Sequence, residues 1–283
     1  MPGRSIDARV SQRVFLGVSA LLFVVSTGVT TVAAASMSAM GEMPMPGGWS
    51  MSMTWLRMCG QTWPGAAASF LGMWTVMMVA MMLPSLVPML WRYREAVGGI
   101  GAMRLDWLTV LVSAGYFFVW SAFGMAVFPL GVALAALEME LPALARAVPL
   151  AAGVIVLIAG ALQFTAWKTR RLACCRAAPG RCVMVAAPLA APALPALLPA
   201  LPADAVTAWR QGLRLGLHCG YCCAGLTMVL LVLGMMDWRV MAVVTAAITV
   251  ERLAPRGERV ARLIGVGVVA TGWVLIARAV GPG

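Results

Sequence analysis

The chain has 283 residues, 62% of them hydrophobic and 11% charged, with a formal net charge of +11. Soluble globular domains carry about a quarter charged residues, and here the apolar residues come in runs of about 20, the helical span of a bilayer core. An ordinary soluble fold is excluded, and strand-length alternation of the outer-membrane barrel type is absent.

The pattern predicts an all-α polytopic membrane bundle of about seven transmembrane helices, at roughly 14–35, 66–90, 107–136, 147–167, 215–236, 238–253 and 262–279. With a cytoplasmic N-terminus, only Arg57, Arg146, Arg239 and Arg278 of the 21 basic residues fall outside. This asymmetry is the positive-inside rule. The basic charge therefore sets topology, and no nucleic-acid partner is expected. The predicted location is a bacterial cytoplasmic (inner) membrane, with the lipid bilayer as solvent.

Residues 1–35 carry Arg4, Arg9 and Arg13, an apolar run and then Ala33-Ala34-Ala35, features shared with signal peptides. An uncleaved N-terminal transmembrane anchor is the expectation. Residues 36–65 follow as a periplasmic methionine-rich loop containing Met37, Met40, Met43, Met45, Met51, Met53 and Met58 among Gly, Pro and Ser. No helical or strand period is visible there, so an irregular, flexible loop is expected. Thioethers are soft neutral ligands that select copper(I), which makes Met43 and Met45 candidate ligands. The competing reading packs these side chains with Trp49, Trp55 and Trp63 at the membrane interface.

Residues 66–283 are read as a six-helix metal-binding domain. Its first helix holds Met73, Met77 and Met81 at i, i+4, i+8, with Met78 and Met82 as a second pair. Residues four apart share a helix face, so these thioethers can line an inward groove. Pro84 and Pro88 follow and are expected to kink the helix. A Pro/Ala/Leu segment at 183–208 is apolar enough to span, but its Pro188, Pro192, Pro195, Pro199 and Pro202 forbid a continuous helix. It is expected to be a cytoplasmic linker.

Six of the seven cysteines fall on the predicted cytoplasmic side, where thiols stay reduced. His218, Cys219, Cys222 and Cys223 form the densest group, with the three thiols at i, i+3, i+4 on one helix face and Gly220 leaving room for an approaching helix or ion. The competing reading is small packing residues in a membrane helix. Gln163 is expected to make an interhelical hydrogen bond. Glu251 is expected to pair with Arg252 or Lys168, and Asp237 with Arg239 to cap a tight outer turn.

Several of these stretches resemble a family. The run from Met73 through Met77-Met78-Val79-Ala80-Met81-Met82-Leu83-Pro84-Ser85 is similar to the signature of the predicted metal-binding integral membrane proteins known as DUF2182. Tyr116 to Trp120, Gln163 to Lys168 with Cys175-Arg176, Gly216 to Cys223 and Glu251-Arg252 match its further motifs, so that the likeness runs from about residue 70 to the C-terminus. The resemblance implies a metal-binding membrane protein and adds Cys175 to the candidate ligands.

Together these readings predict a non-enzymatic membrane protein that binds a soft metal ion, copper (Cu+) above all, for trafficking, transport or delivery to a periplasmic or cytoplasmic copper protein. The candidate ligands are Met43, Met45, Met73, Met77, Met78, Met81, Met82, Cys175, His218, Cys219, Cys222 and Cys223. The alternatives are a membrane thiol–disulfide oxidoreductase and a non-catalytic assembly subunit. Walker, dinucleotide-binding and nucleophile-elbow motifs are absent from the sequence.

Overall fold

The computed structural model describes residues 3–39, 41, 43–57, 60–97, 100–176 and 204–281. The expected 183–208 linker therefore lies almost wholly outside the described residues, as do Met40, Met58, Cys59 and Cys182. In chain order the elements are α1 (Gly3–Ala39), β1 (Met43–Met45), β2 (Trp49–Met51), a 3-10 turn (Met53–Trp55), α2 (Trp63–Val97), α3 (Ala102–Glu140), α4 (Pro142–Leu162), α5 (Ala166–Arg176), α6 (Ala205–Leu233), α7 (Trp238–Leu253) and α8 (Gly257–Val280). The predicted all-α membrane bundle is what the chain forms.

Local chemistry sets the helix ends. Thr62 Oγ1 accepts from Gly65 N at the start of α2, Pro142 opens α4, and Asp204 accepts from Thr207 N at the start of α6. Asp237 caps α7 through the backbone N–H groups of Arg239 and Val240, the capping role expected for it. Such caps satisfy amides that the first helical turn leaves without intrahelical partners.

Among the described residues, six helices are long and apolar enough to cross a membrane: α1, α2, α3, α4, α6 and α8. The seventh expected span, α7, has 16 residues. At 1.5 Å per residue it measures about 24 Å, short of a hydrocarbon core of about 30 Å. Conversely, α6 starts at Ala205 rather than near 215, because Arg210 and Arg214 interrupt the apolar run without interrupting the helix. The earlier start of α6 places its cysteines further along the helix than the expected span did. Helix α2 continues through Pro84 and Pro88.

The methionine-rich segment is more ordered in form than its composition suggested. Residues 43–51 make an antiparallel hairpin with Met43 opposite Met51 and Met45 opposite Trp49. The turn uses Gly47 and Gly48 at φ +108° and +75°, a region glycine enters without steric cost. Met45 and Met51 are buried against Ala135 and Ala145 near the α3–α4 turn, and Trp49 Nε1 donates to the Ala145 carbonyl at 2.8 Å. Each three-residue strand is too short to show a period in the sequence.

Among the spanning helices α2 is the most enclosed: 56% of its apolar window is buried, against 6% for α1. Large apolar side chains such as Leu21, Val110, Met125, Leu130 and Leu263 point outward, as a lipid solvent requires. The closest pairings are α4 with α8, α3 with α6, and α1 and α3 with α2. Glycines permit the α3–α6 and α4–α8 pairings. A Cβ at Gly115 would stand 2.8 Å from the Trp209 carbonyl oxygen, one at Gly212 would collide with the Val112 carbonyl, and one at Gly216 would lie 2.9 Å from the Tyr116 carbonyl. Close backbone approach through small residues is the usual route to helix association in lipid. Along this seam Val112 lies beside Gly212 and Tyr116 beside Gly216, so α3 and α6 run parallel.

Gly220, expected to admit a neighbour, faces open space instead, with nothing within 4 Å of its would-be Cβ. The two glycine environments separate on mutation. Gly212→Leu overpacks the α3–α6 seam and is expected to cost about 1–3 kcal/mol, read as a lowered Tm in detergent. Gly220→Ala is expected to be neutral or to gain up to about 1 kcal/mol from helix propensity.

Candidate metal centre

Five helices bring side chains to one buried place partway along the bundle. α2 supplies Met82 and Ser85, α3 Tyr116, α5 Lys168, α6 Cys219, Cys222 and Cys223, and α7 Glu251 and Arg252; all are buried. Because α6 begins at Ala205, Cys219 stands midway along it rather than near its start. That places the thiols level with the methionines in the middle of α2.

The decisive contact joins those two helices. The Cys219 thiol donates to the Met82 thioether at an S···S distance of 3.8 Å. The Tyr116 hydroxyl lies 2.8 Å from the Cys219 sulfur on its other side. Cys223 lies within thiol hydrogen-bonding reach of Cys219 and Cys222, and Arg252 Nη2 donates to the Cys223 sulfur at 3.4 Å. Arg252 Nη1 donates to Ser85 Oγ at 3.2 Å, so a single guanidinium links α7 to both sulfur-bearing helices. The three cysteines are free thiols.

Beneath the thiols Lys168 Nζ bonds Glu251 Oε2 at 2.7 Å and the Cys222 carbonyl at 2.8 Å. Lys168 is thus the partner of Glu251, one of the two pairings the sequence offered. A buried ion pair is tolerable only when its geometry is good and its remaining valences are met, and the carbonyl helps to meet them. Since α7 is short, its last turn delivers Glu251 and Arg252 at the level of the thiols rather than at the basic face of the membrane.

Not every candidate ligand joins the cluster. Met77, Met78 and Met81 are buried in the same core, with Met73 partly buried against it, so the whole methionine stripe faces protein rather than lipid. His218 is half-buried among the guanidinium groups of Arg171 and Arg214; it does not complete a ligand group with the cysteines. Arg171 itself stacks over Trp167 and Tyr221, fastening α5 to α6. Met43 and Met45 belong to the separate hairpin core. Cys175 lies on α5, and its side chain is outside the described residues. Gln163 is buried, and among the described residues its Oε1 has no hydrogen-bond partner. Among the described residues, no group of three or more His, Cys, Asp and Glu side chains converges as a metal site. The Met82 thioether stands against the Cys219 thiol and can add a further sulfur contact to those of the cysteines.

Sequence reasoning missed Tyr116, Lys168 and Arg252 as the setting of the thiols. All three lie in stretches that carry the family likeness, and that likeness was the signal that could have found them.

An aromatic stack separates this cluster from the hairpin. Trp55 meets Phe70 at 5.5 Å, and Phe70 stacks on Trp74 at 5.8 Å and meets Phe128 at 5.0 Å. Gly124 and Gly131 of α3 leave the space that the Trp74 and Trp55 indoles fill, and Trp74 Nε1 donates to the Trp120 carbonyl at 2.9 Å.

The buried pair gives a stability test. Lys168→Met leaves Glu251 without its ammonium partner and is expected to cost about 3–5 kcal/mol, whereas Lys168→Met with Glu251→Met recovers most of that loss. Thermal unfolding of the three proteins in one detergent checks it.

No curated protein and no solved structure matches the chain significantly. A family model, PpoB2, described as a copper chaperone, matches residues 71–275. The match runs from α2 into α8 and contains every residue of the sulfur cluster, while α1 and the methionine hairpin precede it. It agrees with the metal-related likeness read from the motifs, under the PpoB2 designation rather than DUF2182. With most of its length covered, the chain belongs to the PpoB2 family of copper chaperones.

Proposed function

We propose that this protein is a copper(I) chaperone of a bacterial cytoplasmic membrane, oriented with its N-terminus inside, that holds the ion between Met82, Cys219 and Cys223 and passes it to a copper protein. The observation that carries the reading is the 3.8 Å contact between the Met82 and Cys219 sulfurs. With metal–sulfur bonds of about 2.3 Å, two ligands of a three- or four-coordinate ion stand about 3.8–4.0 Å apart, so an ion enters with little movement of either side chain. Thiolate and thioether together are a soft set suited to copper(I). Tyr116 donates to the Cys219 sulfur, orienting it much as outer-shell groups orient ligands in known metal sites.

Met77, Met78 and Met81 extend the thioether column from this centre toward the aromatic stack. Beyond the stack, Met43 and Met51 face each other across the hairpin with Met45 beside them on the same face. In this reading the hairpin is the outer collecting point and the column leads inward. No catalytic step is required of any residue.

The test is copper(I) binding by the purified full-length chain under anaerobic, reducing conditions, in competition with a chelator. Cys219→Ser and Cys223→Ser are expected to weaken binding about 100-fold or more, and Met82→Leu about tenfold, at or above the 10–100-fold that outer-shell changes produce. If wild type and the cysteine variants hold the same negligible copper, the reading fails.

A further inference from the structure

Among the described residues, the buried charged side chains are Arg94, Glu138, Lys168, Glu251 and Arg252. Arg94 is bound to Asp106 and Ser11 near the basic end of α2, and Glu138 stands in the last turn of α3. The other three are gathered under the thiols, two cations and one carboxylate. Lys168 and Glu251 balance each other across 2.7 Å, and the trio sums to +1, with the Arg252 guanidinium placed directly on the Cys223 sulfur.

We infer that Arg252 sets the valence selectivity of the sulfur centre, so that it accepts monovalent soft cations such as Cu+ and Ag+ and rejects divalent soft cations such as Cd2+ and Zn2+. The inference rests on the proposed Met82/Cys219/Cys223 site. A thiol that ligates a metal does so as thiolate, its proton leaving to solvent, and the Met82 thioether is neutral. Two thiolates, one monovalent ion and the +1 of the trio sum to zero. The same centre with a divalent ion carries +1 in a place enclosed by protein and lipid, where an uncompensated charge is costly. Softness alone does not separate Cu+ from Cd2+, since both take sulfur; charge does. The sequence could not show this, because Arg252 is 29 positions from Cys223 and reads as one more positive-inside residue.

The experiment uses the full-length chain in detergent and measures affinities for Ag+ and Cd2+ by competition titration. Wild type is expected to prefer Ag+. Arg252→Gln is expected to shift the Ag+-to-Cd2+ ratio toward Cd2+ by roughly tenfold or more, well within the effect of one unit charge at this distance in a partly screened interior. Arg252→Lys, which keeps the charge and loses the guanidinium fork, is expected to hold the ratio on the wild-type side; a purely structural role for Arg252 predicts loss for both ions in both variants with the ratio unchanged. Glu251→Gln makes the trio more positive and is expected to move the ratio further toward Ag+, which keeps the inference open to test if Arg252→Gln does not fold. An unchanged ratio in Arg252→Gln, or a Glu251→Gln shift toward Cd2+, overturns the inference while cysteine-dependent Ag+ binding leaves the sulfur site standing. Ag+ binding indifferent to Cys219→Ser and Cys223→Ser overturns both.

Discussion

Charge inside a lipid-solvated bundle has to be balanced where it stands, and that constraint organises this protein. Lys168, Glu251 and Arg252 come from a short helix, α5, and from the last turn of another, α7; Lys168 bonds Glu251 and the Cys222 carbonyl, and Arg252 bonds the Cys223 sulfur. Charged side chains at such depth are rare and generally face a bundle interior. Here they tie α2, α5, α6 and α7 together, and the same bonds fix the positions of the sulfurs. Stability and site geometry therefore share one set of contacts.

The second requirement is backbone proximity. Lipid supplies no hydrophobic drive for helices to associate, so they must fit closely. Gly115, Gly212 and Gly216 let α3 lie against α6 along a parallel seam, and that seam puts the Tyr116 hydroxyl beside Cys219. On the opposite flank of α3, Gly124 and Gly131 receive the Trp74 and Trp55 rings. One helix thus orients the thiols with one set of glycines and encloses them with another.

The methionines divide into two populations. Those on α2 line the enclosed interior, and those of the hairpin form a small core of their own on the α3–α4 turn. The aromatic stack between them makes the hairpin and the intramembrane centre two separate places, joined by α2.

Much of this was legible in the sequence, and the rest was not for definable reasons. Apolar run length and the distribution of basic residues determined an all-helical membrane bundle, because bilayer thickness and the cost of charge act on each segment alone. The i, i+4 spacing of Met77/Met81 and Met78/Met82 marked an inward face, and all four are buried. The hairpin escaped because three-residue strands are shorter than any detectable period. The start of α6 escaped because Arg210 and Arg214 break hydropathy without breaking a helix, whereas α7 has the bounds expected of it. Only tertiary structure decided that Met82 meets Cys219, that His218 completes no ligand group with the cysteines among the described residues, and that Arg252 rests on Cys223. Those outcomes depend on helix crossings set by glycine contacts between distant segments, and no local pattern of residues encodes a crossing.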